Sequence, residues 1–187
     1  MKISINKDWT LFLDRDGVIN RRLPNEYVRS IHDFEFLPGV LKVLNEFSKI
    51  FGLIIIATNQ QGIGKGLMTK QDLDRLHREM LREIEKQGGR IDKIYYCSDL
   101  TQIPDNCRKP SPSMGIKAKK DFPKIKFEKS IMVGDSYTDI GFGQNLGMKT
   151  ILVGEQLKTE TDPDSWTPDF ILDKLASVPD ILQYDSV

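Results

Sequence analysis

The sequence predicts an α/β fold, a three-layer, Rossmann-like sandwich with a mostly parallel central sheet. Two observations carry this. Short apolar runs alternate along the chain with longer amphipathic stretches, the pattern of repeated strand–loop–helix units. One of those runs, residues 53–57, contains no polar residue, as expected of a central parallel strand covered on both faces. At 187 residues the chain fits a single domain over 1–187. A domain of that size buries roughly 70% of the surface that its unfolded form exposes.

Taken in order, Thr10–Leu13 is a short strand that runs directly into Asp14. Residues 38–50 start with a proline and place Val40, Leu41, Val43, Leu44 and Phe47 at helical spacing. After the strand at 53–57, Thr69 caps a helix reaching about residue 87, with Asp72 three positions on as the acid of a capping box. Its stripe is Leu73, Leu76, Met80, Leu81 and Ile84, and Gly88-Gly89 ends it. Strands follow at Lys93–Cys97, 130–133 and Lys149–Val153, with helices at 113–120 and 138–146. A last strand at 169–172 and a last helix at 174–182 complete the series, and the polar stretch 155–168 is a surface loop.

The 27 Lys and Arg residues balance 27 Asp and Glu, which argues against a nucleic-acid or anionic-membrane partner. No apolar run approaches the ~18 residues that would span a bilayer. The start of the chain lacks the features of a signal peptide, and two cysteines make no secreted scaffold, so the expected location is cytoplasmic.

Parallel α/β sheets bind ligands beyond the carboxyl ends of their strands. The first strand ends in Asp14-Arg15-Asp16-Gly17, where one carboxylate can attack and the other can move protons. Residues 57–66 put Thr58, Asn59, Gln60 and Gln61 ahead of three glycines, a set of donors suited to a phosphate. Arg108-Lys109-Pro110 makes a stiff cationic loop. Asp135 and Asp139 follow a later strand, and carboxylates with phosphate and water are what Mg2+ prefers. For Asp139, capping of the following helix is an equally good reading. Taken together these are the parts of a phosphoryl-transfer site.

Asp14-x-Asp16, Thr58, Lys109 and Gly134-Asp135-x-x-x-Asp139 in this order resemble the four motifs of the haloacid dehalogenase (HAD) superfamily. The stretches LDRDGVIN, TNQQGIGKG and CRKPSP are similar to its branch of heptose-bisphosphate phosphatases and histidinol-phosphatases. The resemblance implies a Mg2+-dependent phosphatase of a small sugar phosphate. Asp14 would be the nucleophile, Asp16 the acid and base, and Thr58 and Lys109 the phosphoryl contacts. Asp14, Asp135 and the main-chain oxygen of Asp16 would hold Mg2+, with Asp139 as a further candidate ligand. Arg108, Asn59, Gln60 and Gln61 would meet substrate, as would Asn25, Glu26 and Tyr27 on a looser alignment. Only 43 residues lie between Asp14 and Thr58 and 50 between Thr58 and Lys109, so no large cap domain is expected. A monomer is expected, with no nucleic-acid or membrane partner. Histidinol phosphate as substrate and a non-catalytic phosphosugar-binding module stay open as alternatives.

Relatives with a zinc loop carry cysteines and a histidine where this chain has Cys97-Ser98-Asp99 and Asp105-Asn106-Cys107. Zn2+ is therefore not expected, and Cys97 and Cys107 are read as reduced thiols. His77, between Arg75 and Arg78, is read as solvated, and neither it nor His32 is given a catalytic role.

Overall fold

A computed structural model describes residues 2–23, 26–154 and 166–184. Six strands form one parallel sheet: β2 (Thr10–Leu13), β3 (Leu53–Asn59), β4 (Lys93–Cys97), β5 (Ser130–Gly134), β6 (Lys149–Val153) and β7 (Phe170–Leu172). Their order across the sheet is β4-β3-β2-β5-β6-β7. Connections therefore run outward in opposite directions from β2, and the crevice at such a reversal is where doubly wound sheets bind ligands. Phe12 lies opposite Ile55 and Met132, so neighbouring strands put like residues on the same face.

The central strands are apolar on both sides, and each face has its own helices. Leu11, Leu13, Ile54, Ile56, Ile131 and Val133 pack with α1 (Val40–Ile50) and α3 (Lys70–Lys86). Phe12, Ile55, Ala57 and Met132 face the other way, toward α4 (Ser113–Asp121) and α5 (Tyr137–Leu146). The predicted α/β sandwich is thus observed, and the strands at Thr10–Leu13, Lys93–Cys97 and Lys149–Val153 have the predicted bounds. The predicted capping box is also present: Thr69 Oγ1 accepts from Asp72 N at 3.1 Å, and Asp72 Oδ2 accepts from Thr69 N at 3.0 Å.

The chain's last stretch corrects the expectation of a helix over 174–182. Leu175–Ile181 is a 3-10 turn containing Pro179, which has no N–H to continue a helical ladder. The chain then extends as β8 (Leu182–Tyr184), which pairs in parallel with β1 (Ile3–Ile5), and Ile3, Ile5 and Leu182 complete the first core. One further short helix, α2 (Gln61–Gly64), follows β3. Of the expected loop 155–168, residues 155–165 lie outside the described residues, while Trp166 packs against Ile140 and Leu152.

Packing sets the energy scale. Phe47 is fully buried, with its ring edge-on to Phe51 at 5.6 Å. Phe47→Ala should cost about 3–5 kcal/mol in urea unfolding, while Thr69→Ala should cost about 1 kcal/mol through loss of the cap. Equal costs would contradict this assignment of the core.

Candidate active site

The backbone places the first carboxylates before any side chain is considered. Asp14 N donates to Val133 O at 3.0 Å, which extends the β2–β5 ladder by one residue and sets Asp14 beside Gly134-Asp135. The chain then turns back, with Ile19 N and Asn20 N both donating to Arg15 O. The turn needs Gly17, whose φ is +90°, and a Cβ there would lie 2.0 Å from Asp135 Oδ2.

Lys109 enters this cluster from the loop after β4. Asn59, at the end of β3, grips its backbone: Lys109 N donates to Asn59 Oδ1 at 3.0 Å, and Asn59 Nδ2 donates to Lys109 O at 3.4 Å. Only 4% of Lys109 is exposed. Its ammonium lies 2.8 Å from Asp14 Oδ1 and 2.6 Å from Asp139 Oδ1, and it donates to Ala57 O at 2.7 Å. Three oxygens thus surround an ammonium that has three protons to offer. Burial disfavours the charged lysine, but Asp139 and Asp14 outweigh it and hold the Lys109 pKa above its usual value.

One buried ammonium does not neutralise the cluster. Asp14, Asp135 and Asp139 each offer an oxygen, and these oxygens all lie within 4.8 Å of one another. Burial, opposed by Lys109 and reinforced by Asp139 and Asp16, pushes Asp14 up to about 6. Burial with Asp139 and Asp14 as neighbours pushes Asp135 up to about 7, against the pull of Arg22. Arg22 Nη1 is 3.1 Å from Asp135 Oδ2, from a side chain that is 63% exposed. Hard oxygen donors with surplus negative charge fit Mg2+. Asp14 and Asp135 are the carboxylates that could hold it. Asp139 is more fully committed, since its Oδ2 also accepts from Ser136 N at 3.0 Å and Ser136 Oγ at 2.7 Å to cap α5.

Asp16 sits in a ring of donors. Its Oδ1 accepts from Asn20 Nδ2 at 2.9 Å and its Oδ2 from Gln60 Nε2 at 2.8 Å. Arg15 Nη2 donates to both oxygens at 2.9 Å. Burial would raise the Asp16 pKa, but Arg15, Asn20 and Gln60 together bring it below the usual carboxylate value. Arg15 is fully buried, and its Nη1 is 3.1 Å from His77 Nε2. The expectation of a solvated His77 is therefore corrected: it is 7% exposed, on the inner face of α3 with Leu73, Leu76 and Met80.

The other expected residues divide by position. Thr58 is fully buried, and its hydroxyl accepts from Gln60 Nε2 at 3.0 Å. Gln61 bonds to Thr101 Oγ1 at 3.0 Å on the rim and meets the Tyr27 hydroxyl at 3.5 Å. Arg108, Glu26 and Tyr27 line a cleft of about 620 Å3 above Asp14, and Asn25 lies outside the described residues. Arg108 Nη1 is buried without a hydrogen-bond partner among the described residues. The sequence reading missed Arg22 and Lys65 on the cleft wall, and Lys65 Nζ lies 5.3 Å from the centre of the Tyr27 ring. It also missed the Arg15–His77 contact beneath Asp16.

The reading of Cys97 and Cys107 as free thiols is corrected as well: they form a disulfide. Cys97 ends β4 and Asp99 Oδ2 accepts from Cys107 N at 3.1 Å, which folds the loop back and leaves the two Cα atoms 5.6 Å apart. That separation lies within bridging range.

Known proteins resemble this chain in sequence and in fold. The HAD-hydrolase-like family profile matches residues 106–178. The D-glycero-alpha-D-manno-heptose-1,7-bisphosphate 7-phosphatase of Campylobacter jejuni is 40% identical over 156 residues, covering 83% of this chain and 88% of that protein. The D-glycero-beta-D-manno-heptose-1,7-bisphosphate 7-phosphatase of Helicobacter pylori is 35% identical over 165 residues, covering 87% of this chain and 92% of that protein. The crystal structure of D,D-heptose 1,7-bisphosphate phosphatase from B. bronchiseptica, complexed with magnesium and phosphate, superposes with a TM-score of 0.81. It is 29% identical, and the match covers 92% of this chain and 96% of that one.

The surplus negative charge has a measurable consequence. An acid whose pKa is raised on folding loses stability as pH climbs from its unfolded value, 3.8 for Asp135, through about 7. At pH 8 without metal, Asp135→Asn should therefore raise Tm. With Mg2+ the order should reverse, because the wild type gains stability by binding and the variant does not. A wild-type Tm unmoved by millimolar Mg2+ would contradict the assignment.

Proposed function

The chain belongs to the HAD hydrolases and is a phosphoric monoester hydrolase, and from that premise we propose that it removes the 7-phosphate of D-glycero-D-manno-heptose 1,7-bisphosphate. The reaction proposed is Mg2+-dependent and passes through an aspartyl-phosphate on Asp14. The observation that carries it is the buried contact of Lys109 with Asp14, which leaves an aligned carboxylate at the floor of an open polar cleft. The heptose substrate is supported by relatives of that name at up to 40% identity.

In the first step Asp14 attacks phosphorus in line, forming an O–P bond as the ester O–P bond breaks. Asp16 gives its proton to the departing sugar oxygen. Its donors keep it ionised at rest, but an incoming phosphate dianion is a like charge that favours the protonated carboxyl. In the second step Asp16 takes a proton from water, which attacks phosphorus and restores Asp14. As Asp14 becomes an acyl phosphate its negative charge leaves with the sugar oxygen, where the Asp16 proton neutralises it, and the Lys109 proton that faced Asp14 turns to the phosphoryl oxygens. Thr58 accepts from Gln60 and so keeps its own hydroxyl proton to donate, which fits a phosphoryl contact. Mg2+, held by Asp14, Asp135 and the main-chain oxygen of Asp16, would supply further neutralisation of phosphate charge. Arg108, with a buried nitrogen in search of an acceptor, would meet substrate beyond the reacting phosphate.

Phosphate release from both heptose bisphosphate anomers and from histidinol phosphate tests the proposal. Either heptose anomer should exceed histidinol phosphate in kcat/KM by at least ~10-fold. Asp14→Asn should lower kcat by more than ~10^3-fold. Preference for histidinol phosphate would overturn the substrate and keep the chemistry. Ligand binding without turnover by the wild type would overturn both in favour of a binding module.

A further inference from the structure

We infer that His77 is a positioning residue for phosphoryl transfer, fixing the proton-transferring carboxylate of Asp16 through the buried guanidinium of Arg15. The inference rests on the role proposed for Asp16 and extends it to a residue on a helix that contributes nothing directly to the cleft.

Arg15 lies between two reacting acids in the sequence, yet it is fully buried and points away from the cleft. Among the described residues its guanidinium has two side-chain partners. Nη2 donates to both Asp16 oxygens at 2.9 Å, and Nη1 faces His77 Nε2 at 3.1 Å. A guanidinium cannot give up its proton, so His77 Nε2 must be the acceptor and the other ring nitrogen must carry the hydrogen. That requires a neutral imidazole, and burial, with the Arg15 charge beside it, pushes the His77 pKa down to about 3. The ring is held from the other side by Tyr96 on β4, edge-on with centroids 6.5 Å apart. Asp74 and Arg78 on α3 and Asp92 and Lys93 near β4 border the shallow groove on which His77 opens.

The direction of the chain is what matters. A planar guanidinium that holds both oxygens of one carboxylate transmits its own orientation to that carboxylate. His77 sets the rotation of Arg15, and Arg15 sets the plane of Asp16. Asn20 and Gln60 each hold one oxygen, at 2.9 and 2.8 Å, whereas Arg15 alone holds both. Without an acceptor at position 77, Nη1 is a buried donor with no partner, and the guanidinium re-aims toward whatever oxygen it can reach. Asp16 moves with it, and proton transfer to the leaving oxygen suffers while Asp14 and Lys109 stay in place.

The test separates this from a purely structural role by leaving group. A sugar alkoxide needs a proton from Asp16 to depart, whereas p-nitrophenolate departs without one. Since kcat/KM reports only steps through departure of the leaving group, it isolates the acid role. His77→Leu should lower kcat/KM by about tenfold or more on the heptose bisphosphate and by less than about threefold on p-nitrophenyl phosphate. His77→Gln, whose amide oxygen can accept from Arg15, should stay within about threefold of the wild type on both. Arg15→Met leaves no orphaned guanidinium and should show the same split as His77→Leu, which covers the case in which that variant does not fold. Uniform losses on both esters, or a Gln variant as impaired as Leu, would overturn the inference alone. A wild type inactive on every ester would overturn the proposed reaction and this inference with it.

Discussion

The ammonium of Lys109 lies 2.8 Å from Asp14 and 2.6 Å from Asp139, almost wholly out of water, and the rest of the site is arranged around that contact. Buried charges persist only when paired, and breaking such a pair by removing one partner typically costs 3–5 kcal/mol. The position of Lys109 is therefore tied to two strands at once: Asp14 follows β2 and Asp139 lies on α5 after β5. A third strand joins them through Asn59, whose amide holds the Lys109 backbone at 3.0 Å, and through Ala57, whose carbonyl accepts from its ammonium. Charge balance, more than apolar packing, decides where the loop after β4 comes to rest.

That balance is deliberately incomplete. Three carboxylates meet one buried cation, Lys109, and one exposed one, Arg22. The surplus raises the cost of ionising Asp14 and Asp135, with Asp14 near 6 and Asp135 near 7, a loss of stability of the kind that functional sites carry. Two residues away Asp16 has the opposite environment, three donor side chains and a lowered pKa. Acids two residues apart in sequence thus have distinct electrostatic surroundings, which is how one short segment can supply both a nucleophile and a proton carrier.

Much of this could be read in the sequence, for reasons that can be named. Strand ends at Asp14 and Asp135 were legible because apolar runs stop abruptly at charged residues, and Thr69 with Asp72 because a capping box is a local signal. Contacts set by tertiary structure were less so. β1 and β8 are three residues each, too short for any periodicity, and they exist because they pair with each other. His77 was hidden by flanking arginines, although Leu73, His77, Met80 and Ile84 share one helical face and that spacing was the available signal. Arg22 had no signal at all, since a second arginine in a polar loop says nothing of the carboxylate 113 positions later in the chain.

The carboxylate facing Lys109 is proposed to become covalently phosphorylated. Acid-quenching the enzyme during turnover and reducing it with borohydride converts an acyl phosphate to an alcohol, and peptide mass spectrometry locates the change. The account predicts conversion of Asp14 to homoserine, dependent on substrate and Mg2+ and absent without either. Conversion at another carboxylate, or turnover at full rate with Asp14 never modified, would contradict it.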